Sequence, residues 1–597
     1  MCGIAAIISS RNHDPRAIER MTRELGHRGP DGNACTSLPD CKLGHTRLSI
    51  IDLETGRQPM ADATGRYWIT YNGEIYNYKE IRKELIERGY CFKTQSDTEV
   101  ILASYAEWGS LCVDRFRGMF AFAIWDTEEK KVFAARDLFG EKPLYYALLK
   151  DGTLVIGSEI RALIASGSFS PHLDLSSVDA YLTLGYVPPD RTIYKNVQVL
   201  PPGHWLRYDS NQLTTQRYWK PRFRTEKISL EEAAGRLREL MAQAVRRQMV
   251  ADVPVGAFLS GGLDSSTIVA LMQSQVSNSV KTFSVGFGGL INELPYARQV
   301  AERYRTEHYE INLELPPLGE LFEQVAAAYD EPFGDSSNIP TYLIAQFARQ
   351  QVKAVLSGDG GDELFGGYQW YTPLAQTESA NATDGIGLIG RLLRWKRAWS
   401  GGAFQTWMQH VRSRVYFSES ERRRLWEGRV AEIDLFRPGP YFLPEEQVSG
   451  IDQAFFFDLT SYLPGDILVK VDRAAMANSL ETRAPFLDPD LVEFALTLPS
   501  EVKVSAAESK IIMRFALSDY WPAAVRNRSK QGFGVPFSAW LRHPDLQGLT
   551  KRVFAEKSRL RQLFRGLPSG EGSPDSYQTW LLLVLGIWLE QHPVEVA

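Results

Sequence analysis

Cysteine is scarce in this chain: Cys2, Cys35, Cys41, Cys91 and Cys112 are all that its 597 positions hold, and no two form a Cys-x-x-Cys pair. That excludes a disulfide scaffold and a cysteine-type zinc site, and it fits a reducing compartment. Long apolar runs are missing too, so no membrane-spanning helix is expected. At the N-terminus only Ile4 to Ile8 is apolar and no basic segment precedes it, which argues against a secretory signal; the expected location is the cytoplasm. A basic excess is also absent. With a net charge of -5 there is no electrostatic case for nucleic-acid or membrane-surface binding. What is present is an ordinary globular composition, 44% apolar and 23% charged, over a length that implies at least two domains.

The stretch that says most is Phe258-Leu259-Ser260-Gly261-Gly262-Leu263-Asp264-Ser265-Ser266, which runs into the apolar Thr267 to Met272. It reads as strand, tight turn, helix. Glycines let a ligand approach the backbone, and a helix beginning at the serines turns unpaired N–H groups and a positive dipole end toward it, which makes an anion cradle. A kinase-type P-loop would carry Lys, and here Asp264 stands in the loop instead. A carboxylate beside phosphates makes sense when Mg2+ sits between them. The plain alternative is a Gly-Ser turn with an N-capping Ser before a buried helix.

Cys2 follows the initiator Met, and removal of Met1 would leave a thiol and a free α-amine on one residue, a nucleophile with its own base. A small buried hydrophobe opening the strand Gly3 to Ile8 is the alternative. His27 to Gly32 reads as a turn, Arg47 to Asp52 leads into an apolar strand, and strand character in Tyr67 to Asn77 ends at Asn72-Gly73, where a hairpin turn is possible. Tyr78 to Glu87 and Glu99 to Trp108 read as helices, while Gly118 to Trp125 and Lys131 to Arg136 read as a hairpin.

Recurrent Pro and Gly from Leu184 to Arg224 mark a domain junction, and a helix opens at Ser229 with Leu237, Leu240, Met241, Ala244 and Val245 on one face. Apolar strands and helical patterns then alternate through Lys281 to Phe287 and Lys353 to Gly358, which predicts a parallel, doubly wound sheet. Its glycine-terminated strand ends, at Gly261, Gly286 and Gly358, point to one site. Ser357 to Tyr368 is rich in Gly and acids, without the alternating acid spacing of an EF-hand.

Ser260 to Ser266 resembles the pyrophosphate loop of the ATP pyrophosphatase superfamily. Together with Met1-Cys2-Gly3-Ile4 it makes most of the chain similar to the glutamine-hydrolysing asparagine synthetase family. The fold this implies is α/β: an N-terminal antiparallel αββα sandwich of the Ntn-hydrolase type, plus a C-terminal doubly wound parallel α/β domain with extra helices. The expected division is a glutaminase domain at 1–205, a linker at 206–228 and a synthetase domain at 229–597.

The resemblance also implies the sites. Cys2 would be the nucleophile, with the oxyanion held by Asn72 and Gly73. Glutamine would be bound by Arg47, Leu48, Ile50, Ile51, Asn72, Gly73, Glu74 and Asp97, with Arg47 on its α-carboxylate and Glu74 and Asp97 on its α-amine. ATP would be bound by Leu259, Ser260, Gly261, Gly262, Asp264, Ser265, Ser266, Val285, Ser357, Gly358 and Lys530, and Mg2+ by Asp264 and Asp362. Lys510 matches a catalytic lysine. Asp359 stands where the well-known asparagine synthetases usually carry Glu, in a role linked to forming the acyl-adenylate.

The implied reaction adenylates aspartate and gives asparagine, glutamate, AMP and pyrophosphate. The same chemistry on another carboxylate, on a sugar, antibiotic precursor or peptide, is the alternative. Glu331 to Ser337 sits where the family binds aspartate and departs from its best-known form. A homodimer and an internal ammonia passage are further family expectations. A non-catalytic relative is the reading from another class, and the intact Cys2, Arg47, Asn72, Asp97, Asp264, Asp362 and Lys510 speak against it.

Overall fold

The computed structural model describes residues 1–11, 14–286, 292–312, 317–383, 402–427, 448–528, 534–567, 576–592 and 594–595. The N-terminal part is two six-stranded antiparallel sheets face to face. The first runs in the order Gln198–Val199, Tyr145–Leu148, Leu154–Gly157, Gly3–Ile8, Cys41–Arg47, Gly32–Leu38, and the second Gln212–Arg217, His204–Asp209, Lys131–Arg136, Gly118–Asp126, Tyr67–Ile75, Met60–Ala61. Gly3–Ile8 explains the layering. Successive side chains of a strand point to opposite faces; Ile4, Ala6 and Ile8 join Ala121, Ala123 and Trp125 between the sheets, while Ala5 and Ile7 pack with Ile18 and Met21 of the helix Ala17–Glu24 outside. Both faces are covered, so the strand is apolar throughout. The helices Tyr78–Glu87 and Asp97–Trp108 cover the second sheet.

Three sequence expectations need correction. Asn72-Gly73 is no turn: Tyr67–Ile75 passes straight through it, in register with Gly118–Asp126. The strand at Arg47 ends on that residue rather than following it, and Leu48, Ile50 and Ile51 are buried in a loop, so their apolar character reflects burial and not pleating. Residues 206–217 are not linker. The hairpin His204–Asp209 and Gln212–Arg217 completes the second sheet, and the Pro-Pro-Gly at 201–203 turns the chain into that hairpin instead of out of the domain.

The C-terminal sheet has five parallel strands in the order Glu307–Asn312, Lys281–Gly286, Val255–Phe258, Ala354–Leu356, Glu481–Arg483. Chain order reverses between Val255–Phe258 and Ala354–Leu356, the point at which such sheets open a crevice beyond their carboxyl ends. Helices cover both faces: Ile268, Val269 and Ala297 pack on one side, Ile344, Ala345 and Ala475 on the other. A ten-residue π-helix, Asp458–Ile467, holds Pro464 and Gly465 and continues directly into the α-helix Leu468–Met476. Among the described residues no helix is long and apolar enough to cross a membrane.

A buried ionic network joins the halves. Arg28, fully buried, donates to both oxygens of Asp472 at 2.8 and 2.9 Å and to Glu159 at 2.8 Å. Arg473 lies 2.8 Å from Glu159 and 3.2 Å from Asp330, and Arg161 reaches Asp330 at 2.8 Å. Every one of these charges has an opposite partner, which a buried charge requires.

Candidate active sites

The first site lies at the edge of the sandwich. The backbone N–H of Cys2 donates to Asn72 Oδ1 at 2.9 Å, and its Sγ lies 3.9 Å from the Leu48 carbonyl. Burial pushes the Cys2 thiol up, against the pull of the N-terminal ammonium beside it. Asn72 is wholly buried and its Nδ2 has no partner among the described residues, so an unspent N–H donor stands beside the thiol. A buried donor with no partner is what a developing oxyanion can use. At Gly73, φ is +150°, and a Cβ would overlap the Met119 carbonyl; only glycine lets the two strands approach there.

Arg47 is pinned by the loop it begins, donating to Asp52 O at 2.5 Å and Leu53 O at 3.2 Å. Asp97 opens the helix Asp97–Trp108 and accepts from Tyr71 Oη at 2.9 Å and from the Ile75 N–H at 3.0 Å. Burial raises its carboxyl to about 6 despite those donors. Glu74 is buried 3.5 Å from Arg483 of the second domain, and burial with the nearby Glu481 drives its carboxyl well above the usual range. The structure therefore brings Cys2, Asn72 and Leu48 into direct contact, sets Arg47 and Asp97 on flanking elements, and turns Glu74 toward the other domain.

Met1 is 1% exposed among Tyr76, Met119 and Met476, with its ammonium 3.6 Å from Glu481. Sequence reasoning gave Glu481 and Arg483 no role at either site. They come from a strand some four hundred residues downstream, and Glu481-Thr482-Arg483 carries no local signal of a partner.

The second site is a cavity of about 550 Å³ beyond the carboxyl ends of the parallel strands. Leu259, Ser260, Gly262, Asp264, Ser265, Val285, Ser357, Gly358, Asp359 and Asp362 line it. Two expected residues do not: Gly261, at φ +68°, packs against Tyr296 and Ala297, and Ser266 is fully buried within its helix. Lys530 lies outside the described residues. The helix Leu263–Gln273 starts two residues before Ser265, and its N-cap is Gly262 with no side-chain cap, which removes the capping-serine alternative.

Lys510 is not on a helix but immediately before one, at φ +55°. Its Nζ lies 2.5 Å from Asp264 and 2.6 Å from Asp362, and those two carboxylates hold it protonated. A Cβ at Gly358 or Gly361 would sit 2.8 or 2.9 Å from Asp264 atoms, so the glycines of this loop make room for that carboxylate. Asp359 accepts from Ser357 Oγ at 2.7 Å, and burial raises its carboxyl. No group of three or more His, Cys, Asp or Glu side chains placed to hold a metal occurs among the described residues. Two carboxylates on one cation form a smaller, hard-oxygen set of the kind Mg2+ uses when phosphates supply the rest.

Sequence reasoning missed part of this cavity. Lys470 Nζ meets Asp335 at 3.0 Å and Ser337 Oγ at 2.9 Å, and Tyr368, Trp370 and Tyr462 form an aromatic wall. The cluster Tyr368-Gln369-Trp370-Tyr371, following at once on the acid-rich loop, was the available signal. Between the two sites, a void of about 10 Å³ touches Ser357 and Asp359 on one side and Glu141, Lys142, Asp472 and Arg483 on the other.

The family model described as "Glutamine amidotransferase domain" matches residues 1–219, and the one described as "Asparagine synthase" matches residues 236–590. The chain belongs to the asparagine synthase family. Asparagine synthetase [glutamine-hydrolyzing] 1 of Bacillus subtilis (strain 168) is 31% identical, over 98% of this chain and 96% of its own. A putative asparagine synthetase of Mycobacterium tuberculosis (strain ATCC 25618 / H37Rv) is 33% identical, over 98% and 97%. Amidase chry2 of Gibberella zeae is 28% identical, over 90% of each chain. As a member of this family the protein is an ATP-dependent ligase that takes nitrogen from glutamine.

Proposed function

We propose that the enzyme moves the amide nitrogen of glutamine onto an ATP-activated carboxylate, with aspartate as the first candidate and asparagine, glutamate, AMP and pyrophosphate as products. The observation that carries this reading is the contact between the sites. The Met1 ammonium, one residue from Cys2, lies 3.6 Å from Glu481, the strand Glu481–Arg483 pairs with Ala354–Leu356, and the Ser357 N–H that follows donates to Arg483 O at 2.8 Å at the cavity floor. Glu481 and Arg483 stand two residues, about 7 Å, apart along that strand.

Once Met1 is removed, the Cys2 thiol passes its proton to its own amine and attacks the glutamine carboxamide. The oxyanion falls to Asn72 Nδ2 and the Gly73 N–H, with Arg47 and Asp97 gripping the α-carboxylate and α-ammonium. Ammonia leaves, and water clears the thioester. In the cavity the N-terminal end of Leu263–Gln273 receives the phosphates, and the acceptor carboxylate attacks the α-phosphorus as pyrophosphate departs. The acyl-adenylate then presents a carbon that ammonia can attack, with AMP leaving. Asp264 and Asp362 would hold Mg2+, which when bound neutralises phosphate charge, while Lys510 holds charge that builds on the departing oxygens. The void beside Asp359 supports entry of ammonia at that point. The scarcity of cysteine supports a cytoplasmic location, and the family supports a homodimer.

A second acceptor remains open because Asp359 is one methylene shorter than the family's usual Glu and is held back on Ser357. Mass spectrometry of the products from ATP, glutamine and aspartate tests the proposal, with [15N]amide-glutamine expected to label the product amide. A protein that forms no AMP with any carboxylate, from glutamine or ammonia, overturns it.

A further inference from the structure

One buried cation of the second domain has no part in the chemistry above. Lys503 is 1% exposed, and among the described residues its ammonium has no carboxylate within ion-pair distance. It lies instead over two ring faces. The centroid of Phe223, just past the hairpin Gln212–Arg217, is 5.6 Å away, and that of Phe455, on the helix Gly450–Phe457, is 5.1 Å away. Burial pulls the ammonium down to about 8 against the attraction of Asp452 on the same helix. The other charged neighbours on these elements, Arg222, Arg224 and Glu501, are exposed. A methionine would fill the same space without burying a charge, so packing alone does not account for a lysine.

Two routes lead from this aromatic cage to Lys510. Along the chain, the Ile511 N–H donates to Lys503 O at 3.0 Å and Val504 pairs with Ser509, so Lys503 and Ile511 close the loop on which Lys510 stands at φ +55°. Through space, a Cβ at Gly366 would meet Phe455 and Val504 at 3.2 Å, and one at Gly367 would overlap Asp362 and the Lys510 side chain. Phe455 therefore backs the glycine pair against which Lys510 is seated. A ring attracted by a desolvated cation is held more firmly than one held by packing alone.

We propose that Lys503 is a positioning residue for Lys510: its charge fixes Phe455, and Phe455, through Gly366 and Gly367, seats the catalytic lysine against the departing pyrophosphate. This rests on the ligase reading above. Three measurements on the full-length chain separate positioning from mere support: AMP formation with aspartate and ammonium chloride, glutamate release from glutamine, and urea unfolding. They are made on the parent, Lys503→Met, Phe455→Leu and the double variant.

Lys503→Met is expected to unfold no earlier than the parent and to release glutamate at the parent rate. Its kcat for AMP formation should fall about tenfold, with KM for ATP within about twofold of the parent. Phe455→Leu should lose a similar amount, and the double variant no more than the larger single loss, because both act through one contact. As the pH rises through about 8 the parent sheds the same charge, so its kcat advantage over Lys503→Met should shrink toward one, a ratio in which the titration of ammonia cancels. The assignment is overturned, while the ligase reading stands, by a Lys503→Met enzyme with the parent's kcat, by parallel loss of stability and glutamate release, or by additive losses in the double variant. A parent that forms no AMP with aspartate or any other carboxylate removes the ligase reading itself.

Discussion

Asp97 shows what a buried carboxyl at the proposed glutamine site costs the fold. Its folded pKa, about 6, lies above the ordinary 3.8 because burial outweighs the Tyr71 and Ile75 donors. The sign follows from linkage: a carboxyl raised on folding stabilises the fold fully below 3.8, and that contribution disappears as the pH rises to about 6. At neutral pH the buried charge is therefore a burden on the fold, which a bound α-ammonium would relieve. The KM for glutamine is expected to rise as pH falls below about 6, measured by initial rates of glutamate release between pH 5 and 8. Asp97→Asn should flatten that dependence and lower kcat/KM by about ten- to a hundredfold, the worth of a charge-assisted hydrogen bond. Residues of this kind could be proposed from sequence because thiol, Arg, Asn-Gly and Asp stand in compact local motifs. Glu481, Arg483 and Lys470 were not, since nothing in their neighbours' identity says which distant group they meet.

Among the elements, the glycine-rich loop after Ala354–Leu356 and the turn carrying Arg28 make opposite demands. The loop needs emptiness: Gly361→Ala would press a methyl to 2.9 Å from Asp264, and pyrophosphate release should fall by at least about a hundredfold while glutamine hydrolysis stays within twofold of the parent. The turn needs a full complement of charge. Arg28→Met would strand Asp472 without its buried partner while Glu159 keeps Arg473, and a loss of about 3 to 5 kcal/mol is expected from urea unfolding. Arg28→Met combined with Asp472→Leu should recover part of that loss. The helices at 78–87 and 230–248 and the hairpin at 118–136 were readable because their apolar spacing matches one period. Asn72-Gly73 misled because a dipeptide suited to a turn also suits a strand position where one backbone must nearly touch another.

At the scale of the whole molecule, two chemistries share one chain and should separate under mutation. Cys2→Ala is expected to abolish use of glutamine yet keep amidation with added ammonium salts. Asp264→Asn should lose AMP formation with either nitrogen source and leave glutamate release near the parent rate; coupled pyrophosphate and glutamate assays on both variants check the pair. The two-domain plan and the parallel sheet were legible because strand and helix patterns alternate after residue 229 and not before. The junction was not, because a Pro-Pro-Gly turn that begins a hairpin looks the same in sequence as one that leaves a domain.

The wide coil at Asp458–Ile467 carries a further implication. It feeds without a break into Leu468–Met476, which bears Lys470 for the cavity and Asp472 and Arg473 for the contact between halves. Deleting a single residue from the coil while its wide winding persists would swing everything downstream by roughly a quarter of a turn. Such a deletion would misalign both working ends together, so the length of this segment is fixed more tightly than its composition.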